Sequence, residues 1–79
     1  MIEQAIKNAT NMGLTLYACI PFPNASDSHL FKVLCGAKNN YVVWTFNSQD
    51  GGFHHGHYHR DLSNALQDLT ITLIELGWE

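Results

Sequence analysis

Apolar side chains recur at Ile2, Ala5, Ile6, Ala9 and Met12, the i, i+3, i+4, i+7 spacing of an amphipathic helix. That spacing predicts a helix over residues 2–12, closed by Gly13 where a left-handed glycine ends a helix. Residues 14–20 turn to a run that is half alternating and half continuously apolar, which predicts a strand. Pro21 and Pro23 end it, since neither can donate to a ladder. A polar loop over 24–28 leads to a second strand over 29–35, and residues 36–40 carry turn-forming residues at both ends. Residues 41–46 are β-branched or aromatic at every position and predict a third strand. A turn over 47–52 ends in Asp50, Gly51 and Gly52, and the segment beyond it extends as a short fourth strand through Tyr58. Asp61 is a suitable N-cap for a last helix over 62–76. Leu62, Ala65, Leu66, Leu69, Leu73 and Leu76 form its apolar stripe, widened by Ile71 and Ile74. Gly77 stops it, and Trp78 is expected to fold back onto the sheet edge or the helix.

The order α-β-β-β-(β)-α predicts one α+β domain over residues 1–79. Its sheet has three or four antiparallel strands in a meander, with the N-terminal and C-terminal helices expected on one side. Double-stranded RNA-binding domains share this order, but they need basic residues where the last helix begins. Here that helix opens on Asp61, Leu62, Ser63 and Asn64, and the net charge is −3, so direct binding to nucleic acid is not expected. Apolar residues make up 46% of the chain, which favours a folded domain over a disordered one. No apolar run approaches the roughly 18 residues that span a bilayer. The start at Met1, Ile2, Glu3 and Gln4 lacks the basic and apolar regions of a secretory signal, so the expected location is the cytoplasm.

Candidate chemistry is concentrated between residues 53 and 59, which hold four of the five histidines. Imidazole is the commonest protein metal ligand. In a regular strand His55, His57 and His59 share one face, and His54 and Tyr58 take the other. The outer pair is about 13 Å apart at the backbone, so the expected unit is His55 with His57 or His57 with His59. A bulge at Gly56 would re-aim a side chain. Asp61, Asp50, His29, Cys19 and Cys35 are the candidates to complete the set, and with such donors the expected metal is zinc. A domain of 79 residues has a thin core, which favours a structural ion over a catalytic one. The plain alternative is a solvated histidine face with no resident ion. Cys19 and Cys35 lie in apolar strands without CxxC spacing and read as reduced, buried thiols.

No enzymatic constellation accompanies the histidines. There is no HExxH motif, no nucleophile elbow, and no Lys-Ser or Lys-Thr after Gly51 and Gly52. A small zinc-dependent hydrolase or a metal-handling adaptor therefore stands as the alternative to a non-enzymatic binding protein.

Residues 41–69 add a resemblance. Tyr41-Val42-Val43-Trp44, Asp50-Gly51-Gly52-Phe53, Gly56-His57-Tyr58, Asp61-Leu62 and Ala65-Leu66-Gln67-Asp68-Leu69 resemble short proteins of phages and mobile elements of Gram-positive bacteria. Inhibitors of type II-A CRISPR systems, the Cas9 anti-CRISPR proteins, look similar in size, acidity and α+β organisation. The resemblance implies a cytoplasmic inhibitor in the bacterial host, without enzymatic activity, that binds Cas9 or its guide complex. An acidic surface would suit a basic nucleic-acid channel, with Glu3, Asp27, Asp68 and Glu75 as the expected contacts. His54, His55 and His59 go beyond the matched pattern and would add a metal site particular to this chain.

Overall fold

The structure is a computed structural model that describes residues 2–78. Helix α1 (Ile2–Asn11) is followed by strand β1 (Thr15–Pro21), a single 3-10 turn (Ala25–Asp27), and strands β2 (Leu30–Ala37), β3 (Asn40–Asn47) and β4 (Gly52–His59). Helix α2 (Leu62–Leu76) closes the chain. The strands pair in the order β1-β2-β3-β4, all antiparallel. This is the α+β fold with the expected element order, and the fourth strand is present and runs one residue past Tyr58. No helix among the described residues is long and apolar enough to cross a membrane.

The two helices lie on opposite faces of the sheet rather than on one. On one face Ala5 and Ala9 of α1 meet Val33, Cys35, Val42, Trp44 and Phe46. On the other, Ala65 and Leu69 of α2 meet Leu34 and Val43. The cause lies in β2 and β3, which are apolar at both parities: Val33, Leu34 and Cys35 are all buried, as are Val42, Val43 and Trp44. Such a strand needs cover on both sides. Within α1 the fully buried residues are the small Ala5 and Ala9, so the backbone approaches the sheet closely while the larger apolar side chains of the helix, and Met12 just beyond it, stay out. Ile2, Ile6 and Met12 are about half exposed.

Both edge strands are bulged. In β1 the pairing jumps from Leu16–Cys35 to Ala18–Leu34, leaving Tyr17 as the extra residue. In β4 it jumps from Val43–His57 to Thr45–His54, so His55 and Gly56 together oppose Trp44. Each bulge reverses the facing of the residues beyond it and interrupts an edge that would otherwise offer a template for another strand. The ends of α2 follow their local chemistry. The Asp61 carboxylate accepts from the Asn64 N–H at 2.8 Å, and Gly77 takes a left-handed φ of 114°. There the Trp78 N–H reaches the Leu73 carbonyl, as in a Schellman closure. The Trp78 indole N–H then donates to the Pro21 carbonyl at 2.8 Å, tying the chain end to the edge of β1.

The α2 face carries one buried cation. Lys32 is 7% exposed, and its ammonium donates to the Thr45 hydroxyl at 2.9 Å. Burial pushes its pKa below the usual lysine value, with the Asp68 carboxylate opposing that push. A depressed lysine binds its proton less well when folded than when unfolded, so its contribution to stability rises as pH climbs through the folded value. Lys32→Met keeps the stem and removes the charge. It is expected to melt at or above the wild type at pH 7. A fall of more than about 5 °C in a thermal melt would mean that the bond to Thr45 outweighs the cost of burying the charge.

Candidate functional site

The bulge decides which histidines meet. His55 adopts a left-handed backbone with φ of 56°, and Gly56 sits under the Trp44 indole, where a Cβ would come within 2.5 Å of Nε1. Beyond this point the strand alternates again with shifted parity. His54 pairs with Thr45, His57 with Val43 and His59 with Tyr41. Val43 belongs to the cluster beneath α2, with Tyr41 packed against it. The histidines on the α2 face are therefore His54, His57 and His59. His55 occupies the bulge, exposed, with its ring 6.4 Å from that of His54.

Two of these rings converge on one carboxylate from α2. The Asp68 Oδ2 lies 2.8 Å from His59 Nε2 and 3.2 Å from His57 Nδ1. Since a carboxylate only accepts, each imidazole presents an N–H to it. The Thr72 hydroxyl approaches the other oxygen, Oδ1, at 3.3 Å and donates to the Asp68 carbonyl at 2.7 Å. Asp68 is 19% exposed and His59 24%, whereas His57 is 60% exposed. Burial alone would raise the Asp68 carboxyl. The bond from His59, the charge of His57, and the bonds from His57 and Thr72 outweigh it and hold the group below the usual aspartate value. An opening of about 340 Å³ lies over this group, lined by His57, His59, Asn64, Gln67, Asp68 and Ile71.

The other expected ligands are elsewhere. Cys19 and Cys35 are free thiols on the α1 face, separated from the histidines by the sheet itself. Burial raises both, Cys35 to about 11, which makes it an inert thiol rather than a nucleophile. Asp61 is occupied as the cap of α2. Asp50 accepts from the Gly52 N–H at 2.7 Å and pairs with His54 at 3.2 Å, closing the turn before β4. The backbone carbonyl of His29 accepts from Ser48. Among the described residues, no group of three or more His, Cys, Asp or Glu side chains stands ready to hold a metal ion. His57, His59 and Asp68 meet through one shared oxygen instead.

The four acids expected to contact a partner do not form one surface. Glu3 is on α1, Asp27 is in the 3-10 turn, and Asp68 and Glu75 are on α2 across the sheet. Asp68 is turned towards the histidines, which its place beside the apolar stripe did not reveal. The available signal was Thr72, one turn later, whose hydroxyl fixes the same side of the helix. In comparisons with protein-family models, curated proteins and solved structures, the chain matches none.

Proposed function

We propose that the protein acts by binding another protein, as a non-enzymatic inhibitor of the Cas9 anti-CRISPR kind that residues 41–69 resemble. The observation that supports binding is the outer surface of α2. This helix buries only Ala65 and Leu69, while Leu66, Ile71 and Ile74 are 46%, 50% and 61% exposed. With Leu62, 40% exposed, four large apolar side chains of this 15-residue helix are open to solvent, and exposed apolar residues gathered on one element mark interaction sites. Glu75 follows one turn after Ile71 and gives this surface an acidic margin suited to a basic partner. The partner class, Cas9 or its guide complex, comes from the sequence resemblance alone.

The test is cleavage of target DNA by Cas9 in the presence of a stoichiometric excess of the untagged protein. Inhibition is expected, and Leu66→Asp with Ile74→Asp should weaken it at least tenfold while circular dichroism stays unchanged. Cleavage at an undiminished rate would contradict the reading. A zinc-dependent hydrolase remains the competing proposal, favoured by the His57–Asp68 pair beside an opening. It requires a hydrolytic activity that chelation removes while the fold persists.

A further inference from the structure

We propose that His57, His59 and Asp68 form a binding site for a divalent ion of the zinc class, which clips β4 to α2. Three observations carry it. The ligand types suit the ion, since two imidazoles and one carboxylate are a recurrent zinc donor set with room for an exogenous ligand. Two of the three donor separations suit it as well. Donor atoms bonded to one ion at about 2.0–2.1 Å lie roughly 2.8–3.4 Å apart along the edges of a tetrahedron or octahedron. The His59–Asp68 and His57–Asp68 contacts are already 2.8 and 3.2 Å. Finally, the carboxylate is oriented by its own helix, with Thr72 at Oδ1 and both rings at Oδ2, the kind of support that fixes metal ligands.

The site is not preformed, and what must change is small. His57 is the exposed member, and its ring must leave its present bond to Asp68 and turn towards His59. Each imidazole must present a lone pair where it now presents an N–H. A neutral ring shifts its proton through water, from Nδ1 to Nε2 on His57 and from Nε2 to Nδ1 on His59, and a protonated ring releases one proton to solvent as the ion binds. The ion then replaces two hydrogen bonds with three bonds and faces the opening of about 340 Å³, where water completes its shell. His54 and His55 take no part, although they belong to the same histidine-rich run.

The experiment uses the full-length untagged chain, stripped with chelator and titrated with zinc chloride by calorimetry and thermal melting. One equivalent is expected, with the melting temperature raised by at least about 5 °C at a hundredfold excess over Kd. His57→Ala and Asp68→Asn should each weaken binding tenfold or more, and His55→Ala should leave it as in the wild type. His57 is mostly exposed, so its removal tests the site without threatening the fold. Two outcomes would overturn the proposal. One is equal loss in His55→Ala and His57→Ala with none in Asp68→Asn, which means an adventitious ion on the histidine run. The other is no binding at micromolar zinc.

Discussion

Phe46→Ala is expected to leave the protein largely unfolded at 37 °C. Phe46 is the largest side chain that is fully buried among the described residues, on the α1 face near the end of β3. Its ring lies 5.1 Å from Phe53 and 6.4 Å from Phe31, so it joins β2, β3 and β4 through one aromatic cluster. Truncating a buried Phe costs about 3–5 kcal/mol through lost transfer energy and the cavity left behind. A domain of this size has a total stability of only about 4–12 kcal/mol. α1 covers the site with Ala5 and Ala9, which have no long side chain to swing into the void. A fall of at least about 12 °C in melting temperature is therefore expected. A loss below about 1 kcal/mol in urea unfolding would mean that the sheet is not packed around this ring. Ile74→Ala, at a side chain 61% exposed, should stay within about 0.5 kcal/mol of the wild type.

Gly56→Val is the second large effect, and it acts through geometry rather than cavity. A Cβ at residue 56 would stand 2.5 Å from Trp44 Nε1 and 2.9 Å from Cδ1. The indole cannot retreat easily: it is 7% exposed and stacked on Phe53 at 4.9 Å. Overpacking of this kind typically costs about 1–3 kcal/mol, and a β-branched side chain belongs at the upper end. The larger consequence is positional. If the bulge is lost, the strand beyond it slips by one residue and His57 and His59 exchange faces with Tyr58. The neighbouring His55 carries the opposite sign. It sits at φ 56°, where a side chain is strained, so His55→Gly is expected to be neutral or slightly stabilising. Equal destabilisation by both substitutions in thermal melts would contradict this view of the bulge.

These two positions mark where the sequence is legible and where it is not. Asp61, Gly13 and Gly77 announce helix ends by local chemistry, and the element order follows from period alone. The facing of the histidines does not. A strict period of two groups His55 with His57 and His59, and the single residue added at the bulge puts His54 there instead. Gly56 inside the strand is the signal of a bulge there, and the structure sets that glycine against the Trp44 indole, a contact that no window of neighbouring residues contains. The layering was legible in part: Val33-Leu34-Cys35 and Val42-Val43-Trp44 are continuous apolar runs, the mark of strands covered on both faces. Asp68 was the residue least open to sequence reasoning. On the helix it reads as a surface acid open to a partner, and the pairing of β4 with β3 brings two imidazoles to it.

The bulge in β4 delivers His59 and His57 to Asp68. A double-mutant cycle tests it directly in metal-free buffer, pairing His59→Ala with Asp68→Asn and comparing it with His55→Ala paired with the same Asp68→Asn. Hydrogen bonds to a charged group contribute about 1.5–3 kcal/mol when buried and less at partial exposure. A coupling of roughly 1 kcal/mol is therefore expected between His59 and Asp68, and none beyond about 0.3 kcal/mol between His55 and Asp68. Coupling that is absent for His59, or equal for the two histidines, would mean that the bulge does not set these rings against Asp68.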